Sequence, residues 1–181
     1  MPGRILKSIA IVFFFSFLVG SFNISCKKEE NFPIEPVIVF ESFSRIKAVN
    51  GTDSIGVLSF RFTDGDGDIG LGPADTLSPY KPGSPFYYNF FVTAYEKDGG
   101  IYKKVSPAQG LPEGDTLTNN GRIPDLQKLS QGKGIKGIIE MTLFINNPFS
   151  ENDTIKYDVS ICDRALHRSN TITTPEIVLK K

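Results

Sequence analysis

From Val37 onward, apolar and polar residues alternate with a period of two, which is typical of strands that bury one face. Stretches rich in Gly and Pro separate these runs, and only Pro124–Gln131 has the composition of a helical turn. The runs are Val37–Ile46, Leu58–Phe62, Phe86–Tyr95, Ile101–Val105, Ile139–Ile145, Ile155–Cys162 and Ile172–Leu179. The pattern predicts an all-β fold: a single antiparallel β-sandwich of about seven strands over residues 37–181.

Two runs indicate where their strands lie in a sheet. Phe86–Tyr95 carries aromatic residues on both faces, which favours a central strand. Pro175 interrupts the last run, which favours an edge strand. The aromatic side chains of the first run (Phe86, Tyr87, Tyr88 and Phe91) suit either a glycan-stacking surface or the sandwich core, and we favour the core.

The N-terminus is typical of a secretory signal peptide spanning residues 1–25. Arg4 and Lys7 precede the apolar run Ile9–Gly20, which is shorter than the roughly 20 residues that a membrane span needs. An uncleaved anchor helix is the alternative.

The end of this segment, Ser25-Cys26, resembles the lipobox of bacterial lipoproteins, although Asn23 stands where that motif usually has Leu. Lys27-Lys28-Glu29-Glu30 resembles the signal that places Bacteroidota lipoproteins on the cell surface, and a charged spacer is the alternative. The resemblance implies a lipid on Cys26, a membrane partner through that anchor and an outer-membrane location. Residues 26–36 then form a flexible tether.

Composition limits the function classes. The 181 residues hold 20 basic and 20 acidic side chains, so the chain lacks the basic excess of a nucleic-acid-binding protein. Without residues 1–25 the net charge is about −2. One His and two Cys do not supply a zinc set, and no phosphate-binding loop or nucleophile elbow is present.

A dense acidic motif, Asp64-Gly65-Asp66-Gly67-Asp68, is the strongest candidate site. Three carboxylates on a Gly-rich turn can converge on a hard cation such as Ca²⁺. Counted from Asp64, Asp75 falls at position twelve, as in a calcium loop of the EF-hand type, but Ile69 replaces the Gly expected at position six. We predict a calcium site of Asp64, Asp66, Asp68 and Asp75. A solvated acidic turn is the alternative.

Two longer segments carry a resemblance without an activity. Phe62–Gly70 resembles a motif of uncharacterised Bacteroidota lipoproteins. Tyr157–Asn170 resembles the penultimate strand and turn of bacterial immunoglobulin-like domains, which implies that the predicted sandwich is immunoglobulin-like.

Four triplets have the order Asp, hydroxyl residue, aliphatic residue, and they resemble the acceptor sequence for O-glycosylation in Bacteroidota. The acceptors are Ser54, Thr76, Thr116 and Thr154. A turn followed by a strand produces the same order, so strand starts are the alternative.

Cys162 and His167 complete the candidate chemistry. Cys162 has no disulfide partner if Cys26 is lipidated, and an inert thiol is the favoured interpretation over a Cys–His nucleophile.

Together these features predict a non-enzymatic surface lipoprotein that binds a protein or glycan ligand. A metal-assisted hydrolase using Asp64–Asp68 and a structural subunit of an envelope complex are the alternatives.

Overall fold

The chain folds mainly into β-strands. The computed structural model describes residues 31–105, 118–147 and 150–181, and residues 31–181 belong to one compact unit. Its elements are β1 (Val37–Lys47), β2 (Asp53–Asp64), β3 (Phe90–Asp98), β4 (Ile101–Lys104), α1 (Gln127–Ser130), β5 (Ile135–Phe144), β6 (Thr154–Ile161), β7 (Ile172–Thr173) and β8 (Ile177–Val178).

The strands form two antiparallel sheets. The first sheet has the order β1-β2-β5, and the second has the order β4-β3-β6-β7, with β8 also paired to β6. The first, second and fifth strands face the third and sixth, so the two sheets pack as a β-sandwich. The predicted all-β sandwich is therefore confirmed.

The core lies between the sheets and follows the predicted alternation. Leu58, Phe60 and Phe62 of β2 are buried, and the Phe60 ring stacks on Phe90 of the opposite sheet at 6.0 Å between centroids. From β6, Tyr157, Val159 and Ile161 complete this layer. Burial of the inner faces of β2 and β6 between the sheets is a main contribution to holding them together.

Two predicted runs differ from the observed strands. The chain from Phe86 to Asn89 forms turns and an irregular segment, and the buried Asn89 side chain bonds the backbone of Ile123. The strand proper starts at Phe90 and is central in its sheet, as expected. The last run divides into β7 and β8 around Pro175, which has no N–H to donate.

The first described residues already contact the sandwich. Pro36 is buried and Phe32 is half-buried, so these two residues of the stretch 31–36 pack against the domain. The predicted signal peptide, Cys26 and Thr116 lie outside the described residues. Within the described residues, no helix combines the length and apolar character needed to cross a membrane.

Candidate metal centre

The acidic motif begins where β2 ends. Asp64 is the last residue of that strand, and the chain then turns through Gly65 and Gly67. Gly67 has φ +70°, and a Cβ there would lie 2.2 Å from the Lys133 carbonyl oxygen. Only Gly fits this backbone position, so the alternating Asp and Gly residues allow the turn to bring its carboxylates together.

A fourth carboxylate joins the turn from the opposite sheet. Asp163 lies two residues after β6, and one oxygen from each of Asp64, Asp66, Asp68 and Asp163 lies within 4.8 Å of the others. We call these four residues the aspartate cluster. A Ca²⁺ ion with ligands at ~2.3–2.6 Å separates oxygens on its opposite sides by ~4.6–5.2 Å, so the spacing suits one shared cation.

The cluster contains buried oxygens that lack hydrogen-bond donors. Asp64 is 0% exposed and Asp163 is 2% exposed, whereas Asp66 and Asp68 are partly exposed. Oδ1 of each of Asp64, Asp66 and Asp68 is buried with no hydrogen-bond partner. A buried carboxylate oxygen without a partner is costly, so three of them at one place indicate a ligand that accepts their lone pairs.

The remaining oxygens hold the carboxylates in position. The Asp68 amide donates to Asp64 Oδ2 at 2.9 Å, and the Ala165 amide donates to Asp68 Oδ2 at 3.0 Å. The His167 amide donates to Asp163 Oδ1 at 2.7 Å, and His167 Nδ1 lies 2.9 Å from Asp163 Oδ2. These bonds connect the turn after β2 to the loop after β6, so the cluster is organised by both sheets.

The electrostatics show the cost of this arrangement without a cation. Burial, followed by the charges of Asp66 and Asp68, raises the pKa of Asp64 to about 7. Burial and the neighbouring carboxylates Asp163 and Asp66 raise the pKa of Asp68, and burial raises the pKa of Asp163. The hydrogen bond to Asp163 raises the pKa of His167. Proximity and burial therefore disfavour the ionised carboxylates, and a bound cation would reverse that effect.

Asp75, the fourth ligand expected from the sequence, lies outside the cluster. Both of its oxygens accept hydrogen bonds from the Arg164 guanidinium, at 2.6 and 2.7 Å, and this bidentate pair lowers the pKa of Asp75. The calcium-loop numbering that selected Asp75 therefore does not describe this turn. The spacing of Asp64, Asp66 and Asp68 brings those three together, and Asp163 supplies the fourth carboxylate.

Sequence reasoning missed Asp163 as a candidate ligand. Its position directly after a strongly alternating strand was visible, but the contact with Asp68 depends on how the two sheets face each other. Arg164 follows Asp163 in the chain, but its guanidinium pairs with Asp75.

The candidate glycosylation sites fall in different environments. Ser54 is partly buried in β2, and Thr154 is the first residue of β6, where its hydroxyl donates to Asp153 at 2.8 Å. These two positions fit the alternative interpretation as strand starts. Thr76 is exposed in a turn. Glycosylation at these positions stays a prediction.

The Cys–His pair and the aromatic residues also have defined surroundings. Cys162 is 1% exposed, and burial together with the charge of Asp163 raises its pKa to about 11, which suits an inert thiol. Of the four aromatics considered for the core, none belongs to it: all are half-buried, with Arg122 over the Tyr87 ring and Arg168 over the Phe91 ring.

Fold and site together define the molecule as an antiparallel β-sandwich in which four aspartates from both sheets form a centre that could hold a metal ion. No family model, no curated protein and no solved structure matches this chain.

Proposed function

We propose that this protein is a lipid-anchored module of the cell envelope whose sandwich is cross-linked by one calcium ion, and that it acts by binding a partner rather than by catalysis. The observation that carries the calcium site is the set of three buried, unpartnered oxygens in the aspartate cluster. Asp64 is the decisive member, because its carboxylate is fully buried and has one oxygen without a donor.

The donor set favours calcium over other common ions. All four groups in the cluster are carboxylates, and hard oxygen ligands suit Ca²⁺ or Mg²⁺ rather than zinc or copper. Four carboxylates, binding through one or two oxygens each and completed by water, can supply the six to eight ligands of Ca²⁺. Mg²⁺ requires a smaller octahedron and keeps its own water, so a cluster of this spacing serves it less well.

The position of the cluster favours a structural role for the ion. Asp64 ends a strand of the first sheet, and Asp163 follows a strand of the second sheet. A cation between them joins the ends of β2 and β6, so its binding energy adds directly to the stability of the sandwich.

The envelope location rests on the sequence alone. The apolar N-terminal run followed by Ser25-Cys26 and a Lys–Glu segment resembles a lipoprotein signal. A lipid-anchored sandwich of this size, without a motif for a known reaction, is suited to presenting a binding surface, and a protein or glycan ligand is the proposed partner.

Thermal unfolding tests the calcium proposal. Millimolar Ca²⁺ should raise the Tm of residues 27–181 by about 5–10 °C, since a ligand at a hundred times its Kd adds about 2.7 kcal/mol. EGTA should reverse the gain, and Mg²⁺ should produce a much smaller one. Asp66→Asn combined with Asp68→Asn should remove the calcium effect.

Two controls make the result specific. Asp98→Asn removes an exposed carboxylate elsewhere, so this variant should keep the full calcium effect. In EGTA the double variant should melt at or above the wild-type temperature, because it loses carboxylate repulsion. A wild-type Tm that is the same in calcium and EGTA would refute the site.

A further inference from the structure

The segment nearest the membrane anchor packs against the backbone of the acidic turn. A Cβ on Gly65 would lie 2.5 Å from the Phe32 carbonyl oxygen and 2.6 Å from that of Pro33. Such distances leave no room for a side chain at position 65. The main chain of Phe32 and Pro33 therefore lies directly against the main chain of Gly65, the residue between Asp64 and Asp66.

The Phe32 ring extends this contact. A Cβ on Gly134 would lie 3.1 Å from the ring and 3.3 Å from the carbonyl oxygens of both Asp64 and Gly65. Lys136 Nζ lies 6.0 Å from the centre of the same ring, a cation–π distance. The Phe32 ring and the carbonyl oxygens of Asp64 and Gly65 therefore all border the same glycine, Gly134.

The remaining residues of the segment add little. Asn31, Pro33, Ile34 and Glu35 are exposed, and Ile34 keeps 54% of its surface in solvent. Pro36 is buried next to β1. Half-burial of one ring and contact with one glycine contribute little free energy to the docking of residues 31–35. Docking therefore depends on the shape of the acidic turn against which the segment lies.

We propose that Phe32 and Pro33 are positioning residues of the cation site, and that a bound cation holds residues 31–35 against the domain. This inference rests on the proposed function. A cation draws the four carboxylates together and fixes the turn on which the segment lies, whereas their mutual repulsion without a cation loosens that turn. By linkage, the segment stabilises the cation-bound turn to the same extent that the cation stabilises the docked segment.

Docking of residues 31–35 changes the maximum distance that the chain can span between Cys26 and the folded domain. With the segment docked, the chain between Cys26 and Asn31 spans at most about 17 Å. With residues 31–35 released, the chain between Cys26 and the buried Pro36 spans at most about 34 Å. The cation therefore sets how closely a domain anchored through Cys26 is held to the surface that carries it.

Calcium titration of matched variants of residues 27–181 tests the linkage. Phe32→Ala removes the ring over Gly134 and should weaken calcium binding three- to tenfold by calorimetry. Ile34→Ala changes an exposed neighbour and should stay within twofold of wild type. Circular dichroism in EDTA should be the same for all three proteins.

Backbone mobility supplies the second readout. In ¹⁵N-labelled protein, the heteronuclear NOE of the Ile34 and Glu35 amides should be high in calcium and low in EDTA, and it should be low in both for Phe32→Ala. Calcium binding that is equal in all three proteins, or Ile34 and Glu35 amides equally rigid with and without calcium, would overturn this inference alone. A wild-type titration without heat or NOE change would overturn the proposed calcium site as well.

Discussion

At the scale of single residues, the site depends on glycines as much as on carboxylates. Asp64, Asp66 and Asp68 converge because glycines stand between them. A side chain at either glycine would collide with neighbouring atoms. Gly67 meets both requirements, since its φ is +70° and its Cβ position lies 2.4 Å from the Ser130 Cβ. Its role is therefore to place its neighbours and to pack against the chain after α1.

Gly67→Ala should be more destabilising than its backbone angle alone explains. Gly99→Ala is the matched control, because Gly99 has φ +58° and a Cβ added there would meet nothing within 4 Å. The control should lose about 1–2 kcal/mol of unfolding free energy in urea, which is the cost of a left-handed alanine. Gly67→Ala should lose at least about twice as much and should also bind calcium more weakly. Equal losses would show that the space around Gly67 is not limiting.

At the scale of elements, periodicity predicted the interiors of strands better than their ends. β2, β5 and β6 largely follow the alternation, because one face of each strand is more deeply buried than the other. The aromatic run predicted a strand from Phe86, but the observed strand β3 starts at Phe90. Just before it, the Asn89 side chain accepts a hydrogen bond from the Ile123 amide. Composition does not show which backbone groups are satisfied by a side chain from a distant segment.

The candidate site was predictable only in its local part. Three carboxylates at alternate positions on a Gly-rich turn are visible in the sequence, and the structure brings them together. The spacing of an EF-hand-type calcium loop predicts Asp75 as the fourth ligand, but in the sandwich Asp75 pairs with Arg164. Asp163 is brought in by the packing of one sheet on the other, which sequence alternation does not determine.

At the scale of the whole molecule, the folded domain and the predicted lipid anchor rest on different residues. The sandwich follows from residues 31–181, and the anchor is predicted from residues 1–30. If the lipobox resemblance is correct, Cys26→Ser expressed in a Bacteroidota host should abolish labelling with a radioactive fatty acid and release the protein from the membrane fraction.

The control for that experiment is the wild-type N-terminus. Mass spectrometry should find a mature chain that begins at a modified Cys26. Membrane retention of the wild-type protein with residues 1–25 intact would instead support the uncleaved anchor helix.

Calorimetric titration of Ca²⁺ into Asp163→Asn and Asp75→Asn tests the central claim most directly, namely that one cation joins the two sheets. Both variants replace one carboxylate with an amide of similar size, but only Asp163 belongs to the aspartate cluster. The structure predicts one calcium ion per wild-type chain, nearly unchanged binding in Asp75→Asn, and at least a tenfold loss in Asp163→Asn. Loss of binding in Asp75→Asn with retention in Asp163→Asn would contradict the account.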